Sequence, residues 1–411
     1  MTPWLRGALK GRMPDSAAFW LLFSIVASVC ALSGAPTPLY RVYQQNWGFS
    51  EITTTVVFAA YALGILLALI TVGSLSDHLG RKPVVLVCVL LQIGVESLFV
   101  FADGVPMLLS ARLLQGLVTG AVFGALGAAM IDLDRVRGVT ANAAAAPLGG
   151  ASGAMAAGVF VQYLPDPTRL IYIALAVTLS VQAVLVPFMR ETCARRPGSL
   201  RSLRPQFGLP RSVRRRFLVS APVLVASWSL FGLYGALGPT IVRELNGQTS
   251  PVLGGLTIVA ISGIGALTVL TLASRVSPRV LMLFATTALI VGMAGTLVAM
   301  QERSLPGFFA ASFVAGSGFG AGYQAGTRSV MPLVSTHERA GVLSIILVLC
   351  YASMGVPTVV AGFLIAHAVP VLDTASGYAV FLIVLASAAL LGAIRPTAAA
   401  VDDSLDVDRS A

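Results

Sequence analysis

The chain has little charge: only 11% of its 411 residues are Asp, Glu, Lys or Arg, against roughly a quarter in an ordinary soluble domain. That shortage excludes tandem water-soluble domains, which would need polar surface the chain does not have. Lysine is nearly absent, found at Lys10 and Lys82, and the three histidines, His78, His337 and His367, do not cluster, so no metal site is expected. The four cysteines, Cys30, Cys88, Cys193 and Cys350, share no ligand or redox spacing and are read as small apolar residues. No glycine-rich loop ends in Lys-Ser or Lys-Thr, which argues against an ATP-driven pump in this chain. Acids, histidines and serines do not converge on one face, so no enzyme activity, catalytic residue or cofactor is expected.

Apolar residues are plentiful, at 56% of the chain with a mean hydropathy of +0.87. A hydrocarbon core about 30 Å thick takes about 20 apolar residues per helical crossing. The apolar runs give spans one to six near 17–38, 52–73, 84–101, 106–129, 139–163 and 169–189. Spans seven to twelve follow near 217–240, 252–273, 280–300, 306–330, 340–366 and 375–394. The expected fold class is therefore an all-α membrane protein. Its first run resembles a secretory signal but is long for one and is read as an uncleaved helix.

The formal net charge is +10, yet the basic residues sit in the short breaks between apolar runs. That pattern belongs to membrane topology and lipid headgroups, not to nucleic acid. All but five of the 27 Lys and Arg fall on one side; the exceptions are Arg41, Arg169, Arg243 and Arg303 in the opposite breaks and Arg112 inside span four. Both termini are accordingly expected in the cytoplasm of a bacterial cell, with the chain in the inner membrane. The longest break carries nine arginines between Arg190 and Arg216 and divides the sequence. The expected units are a cytoplasmic segment 1–16, a six-helix bundle 17–189, a linker 190–216, a second six-helix bundle 217–394 and a cytoplasmic tail 395–411. Gly116 and Gly120 in span four recur as Gly316 and Gly320 in span ten, the same rank in each half, as an internal duplication would leave.

The most specific segment follows span two: Gly73-Ser74-Leu75-Ser76-Asp77-His78-Leu79-Gly80-Arg81-Lys82-Pro83. Gly73 permits close helix contact, Gly80 a tight turn, and Asp77 offers an anion to the positive end of a neighbouring helix. In these residues, and in its twelve-span layout, the chain resembles the major facilitator superfamily (MFS). The resemblance implies two six-helix bundles related by a pseudo-two-fold axis, with the segment acting as a gating latch. It also implies contacts from Asp77 to the start of span eleven and from Arg81 to an acid at the end of span four, where Asp132 and Asp134 stand. The matching loop of the second half, Ser274 to Arg279, has lost the acid, so the latch is expected on one side only.

Span four reads Arg112-Leu113-Leu114-Gln115-Gly116, similar to an Arg-x-x-Gln-Gly motif that the family associates with proton coupling. Arg112, Gln115 and Thr119 share one helix face. A guanidinium inside a span is costly unless it faces water or an anion; Glu96 in span three, at matching depth, is the expected partner. Span five carries Gly149, Gly150, Gly153 and Gly158 with Pro147, resembling the family's antiporter pattern except that proline is missing before Gly158. Family resemblance places spans one, four, seven and ten around the cavity, which adds Tyr234 and Gln324 to the expected path. With no central acid in the second half, that cavity suits a moderately hydrophobic organic solute.

These readings lead to a secondary transporter, expected to be a monomer, that moves a small-molecule substrate by alternating access with protons as the coupling ion, in the efflux direction. Proton-coupled uptake and a transporter-like sensor stay open as alternatives.

Overall fold

A computed structural model of the chain describes residues 13–72, 75–193, 208–247, 250–273, 275–335 and 338–394. Gly73 of the loop after span two lies outside them, as do the first twelve residues, most of the linker and the tail. Among the described residues the structure is helical throughout, with turns and short 3₁₀ or π segments between long helices.

Span one bends at Ala35 into two helices, Asp15–Gly34 and Pro36–Trp47, because Pro36 and Pro38 cannot donate to the preceding turn. Spans two to six are Glu51–Thr71, Arg81–Val100, Val105–Leu133, Arg135–Tyr163 and Pro167–Leu185. The second half opens with Arg211–Asn246, so the last residues expected in the linker are already helical. Span eight runs from Pro251 and alternates α-helix with π segments at Val259–Gly263 and Val269–Ala273. Spans nine to twelve are Pro278–Gln301, Leu305–Val330, Arg339–Ala366 and Val371–Ile394.

Eleven of the described helices are long and apolar enough to cross a membrane. Span ten, Leu305–Val330, is as long as these, but six glycines and the polar run Tyr323, Gln324, Thr327 and Arg328 dilute its apolarity. The outward faces carry exposed Val87, Leu91, Val177, Val181, Val291, Val298, Val380 and Val384. Such surface is stable against lipid and not against water.

The glycine repeat has a packing meaning. A Cβ on Gly116 would collide with the Tyr61 carbonyl of span two, and one on Gly316 with the Ala260 carbonyl of span eight. Gly120 and Gly320 meet the same two helices further along. Spans four and ten therefore each press against the second helix of their own half, as duplicated bundles should.

The halves meet along spans two and eleven and along spans five and eight. Thr55, Ala59 and Ala62 in the first part of span two face Gly362 and Gly355 in the last part of span eleven, and Gly158 abuts Pro251 of span eight. Thr55, Gly362, Gly158 and Pro251 lie toward the end opposite the Arg81 turn, while Ala62 and Gly355 lie near mid-span. Serines begin several helices: Ser250, Ser277 and Ser304 accept from the backbone N–H of Leu253, Val280 and Gly307.

Candidate functional site

The interior of the first half is built on span four. Arg112, Gln115 and Thr119 stack on one face of the helix and are fully buried. The Arg112 guanidinium donates to Gln115 Oε1 at 2.6 Å and to the Ser33 carbonyl at 3.4 Å, and lies 4.6 Å from the centre of the Tyr61 ring. A desolvated cation over an aromatic face gains about 2 kcal/mol. Gln115 in turn donates to the Leu32 carbonyl at 3.2 Å, which ties spans one and four together at the bend of span one.

Glu96 is also fully buried and accepts from Gln92 at 2.9 Å, one helical turn earlier. The direct Arg112 to Glu96 pair expected from depth is not formed: the guanidinium is taken by Gln115, Ser33 and Tyr61, and the carboxylate by Gln92. The two charges still share one pocket, because Gln115 and Arg112 are both near enough to act on Glu96. Each keeps an unused atom: Arg112 Nε, Glu96 Oε2, Gln92 Oε1 and Thr119 Oγ1 are buried without a hydrogen-bond partner. Buried polar atoms are rarely left so, and here a set of them surrounds two opposite charges.

Tyr234 is placed differently. Its hydroxyl sits 2.8 Å from Ser312 Oγ and 3.5 Å from Thr296 Oγ1, and its ring stacks on Phe308 at 5.6 Å, so it joins spans seven, nine and ten as a satisfied core group. Gln324 is half-buried with no side-chain hydrogen bond among the described residues. An aromatic cluster near mid-depth was not among the residues expected on the path: Trp228 packs edge-on against Tyr351 at 4.7 Å and Tyr323 at 5.8 Å, with its buried Nε1 unpartnered. Tyr351 lies close to Tyr61 of the first half, so this cluster borders the seam between halves. Helical spacing shows Trp228, but not that Tyr351 comes to it from another span.

At the arginine-rich end, Gly80 adopts φ +96°, a conformation that favours glycine. The turn aims Arg81 back across the loop, where it pairs with Asp77, donates to Ser76 Oγ at 2.7 Å and reaches Asp132 at 3.6 Å. Asp134, the other candidate, instead caps span five by accepting from Val136 and Arg137. The expected contact of Asp77 with the start of span eleven is not formed among the described residues; the Asp77 side chain is 52% exposed.

One partner of this turn was missed. Glu191, just after span six, accepts from Arg81 N at 2.8 Å and Lys82 N at 3.2 Å, so its carboxylate caps the start of span three. Lys82 Nζ reciprocates by donating to the Pro187 and Met189 carbonyls at the end of span six, and Thr192 donates to Asp132 at 3.1 Å. The sequence separation of about 110 residues leaves no local signal for this contact.

Among the described residues, eleven helices long and apolar enough to cross a membrane and paired close approaches in each half define a polytopic membrane protein. The chain belongs to the Major Facilitator Superfamily, whose family model matches residues 21–357. It is similar to uncharacterized transporters of Rickettsia felis, 35% identical over 94 residues, and Rickettsia bellii, 30% identical over 112 residues. The matches cover 22% and 26% of either chain, so this chain spans about a quarter of the length of those curated relatives. Among solved structures, a bacterial homologue of the human lysosomal transporter Spinster, in an inward-facing and unoccupied conformation, superposes with a TM-score of 0.72 at 13% identity, over 92% of this chain and 97% of the other. The human organic anion transporter MFSD10 superposes with a TM-score of 0.66 at 18% identity, over 93% and 99%.

Proposed function

We propose that this transporter exports a small, moderately hydrophobic organic solute from a bacterial cell by alternating access, driven by protons entering through the first half. The observation that carries the reading is the fully buried pocket of Arg112, Gln115, Glu96 and Gln92, in which each charged side chain keeps one unpartnered atom. Glu96 is the proton carrier. When it is ionised, the nearby Arg112 charge offsets it; when it takes a proton, Arg112 is left to seek another acceptor, which the Gln115 and Ser33 oxygens supply. Two charge arrangements of one pocket give a two-state element that a proton can bias.

The arginine-rich end faces the cytoplasm in this reading, and the Arg81 turn is the latch of the inner gate. The arrangement described here, closed at the opposite end with Asp77 unattached to span eleven, is then the inward-facing state. Solute enters the seam bordered by Trp228, Tyr323 and Tyr351, where an unpartnered indole N–H meets aromatic surface suited to a flat organic molecule. The monomer is the working unit, and lipid is its solvent.

The test is flux in proteoliposomes against a panel of organic solutes under an imposed pH gradient. Solute movement that follows the proton gradient and reverses with it is the expected result. Flux that follows only the solute's own gradient removes proton coupling, and no flux for any solute removes transport.

A further inference from the structure

Spans one and seven hold the same rank in their halves but begin with opposite charge. Span one has Asp15 in its first turn, where an acid suits the positive end of a helix, and Asp15 pairs with Arg190 at 2.8 Å. Span seven begins Arg211-Ser212-Val213-Arg214-Arg215-Arg216, with no acid in its first turn and no side-chain cap. The sequence holds no Asp or Glu between Glu191 and Glu244 that could answer these charges locally. All four arginines are exposed, and among the described residues none has an ion pair or a side-chain hydrogen bond. At the same end of the first half, by contrast, Arg81 holds Asp77 and Asp132, and Arg137 holds Asp134.

Packing fixes which way they point. Val213 and Phe217, one turn apart, are buried in a cluster with Val330 from the end of span ten and Val342 from the start of span eleven. Arg211, Arg214, Arg215 and Leu218 follow the i, i+3, i+4, i+7 spacing of a single helix face, turned away from that cluster. Leu218 is 60% exposed, so this face passes into the apolar surface that lipid covers. Helical side chains lean toward the start of their helix, which carries the guanidiniums away from the hydrocarbon to the level of the headgroups.

The charge and the face together select the ligand. Four like charges within about 8 Å of helix lie inside one screening length of salt water, at a helix end where cations are disfavoured. Their counter-ion has to come from outside the chain segment that carries them. The face runs from guanidinium to apolar surface without a break, so its match is an anion joined to hydrocarbon; a free anion or a nucleic acid matches only the charged part. We propose that the start of span seven binds an anionic phospholipid. Its phosphodiester takes paired N–H donors from Arg211 and Arg215, with Arg214 beside them, and its acyl chains run past Leu218. This site rests on the chain's place in lipid and needs neither proton coupling nor a direction of transport.

The experiment is native mass spectrometry of the purified full-length protein in detergent, titrated with phosphatidylglycerol or with phosphatidylcholine of the same acyl chains. The expected result is a first phosphatidylglycerol held about tenfold or more tighter than phosphatidylcholine. The preference should vanish in the Arg211→Gln, Arg215→Gln protein and survive in part in Arg211→Lys, Arg215→Lys, which keeps charge without paired donors. It should be untouched by Arg135→Gln, Arg137→Gln, a pair of exposed arginines at the start of span five. If the double glutamine variant fails to fold, Arg215→Gln alone should still weaken the preference about threefold. No preference in the wild type overturns the proposal, as does one that survives the glutamine variants or is lost equally from span five. Glycerol phosphate that displaces the lipid at matched concentration would show that the free anion suffices, and also overturns it. The expected pattern in a protein that shows no flux would sink the transport reading and leave this site standing.

Discussion

The two halves fold alike and are furnished differently. In the first, the interior holds a buried cation and a buried carboxylate, Arg112 and Glu96, among amides and carbonyls. In the second, the equivalent depth holds hydroxyls: Tyr234 with Ser312, Tyr378 donating to the Ser229 carbonyl at 2.9 Å, and Ser229 donating to the Ser353 carbonyl at 2.9 Å. Hydroxyls are neutral and these bond their neighbours, whereas a carboxylate and a guanidinium carry charge that a proton can change. The turns differ in the same sense. Arg81 of the first turn reaches an acid at the end of span four, while in the second half Arg328 at the end of span ten donates to the Val276 carbonyl of the turn at 3.3 Å. Among the described residues, the first half buries an acid and a guanidinium and the second buries hydroxyls at the matching depth.

Substitutions sharpen or break that contrast. Arg112→Ala should reduce pH-gradient-driven flux in proteoliposomes to that of empty vesicles while the protein still inserts; unchanged flux would remove the pocket from the mechanism. Glu96→Gln keeps the shape and the Gln92 contact but removes the titrating group. It should leave solute exchange intact and abolish its dependence on the proton gradient, and a retained dependence would move the carrier elsewhere. Glu191→Ala uncaps span three and should cost about 1 kcal/mol in thermal or denaturant stability, the usual size of a lost N-cap. It should also raise thiol labelling at Cys193, whose sulfur lies 3.8 Å from the Asp77 carbonyl. Ser277→Ala, its nearest equivalent in the second half, should cost about 0.5–1 kcal/mol and leave flux as it was. A loss of flux in Ser277→Ala would break the contrast between the halves.

Much of this was legible in the sequence. Twelve apolar runs gave helices whose ends shifted by a few residues, most at span one, which continues through Pro36 and Pro38 to Trp47, and span seven, which starts at Arg211. The Gly116 and Gly316 match announced the duplicated packing because close helix approach tolerates no side chain there. Burial of Arg112 followed from the cost of a guanidinium in lipid. Its partner did not, since depth alone cannot tell whether an amide such as Gln115 will intervene. Tyr234 shows the opposite error of pattern: an aromatic on a cavity-facing stripe can turn its hydroxyl into the bundle when Ser312 is there to receive it. Glu191 and Tyr351 act through contacts far apart in the chain, and no periodicity reports those.

The central claim, that protonation within the first half moves the two halves relative to each other, is tested most directly by double electron–electron resonance. Spin labels would replace Val136 and Leu333, exposed residues at the arginine-rich ends of spans five and ten, in a background without native cysteines. The account predicts a distance distribution that shifts with pH in the otherwise wild-type protein and stays fixed in Glu96→Gln. The same pH-dependent shift in both would contradict it.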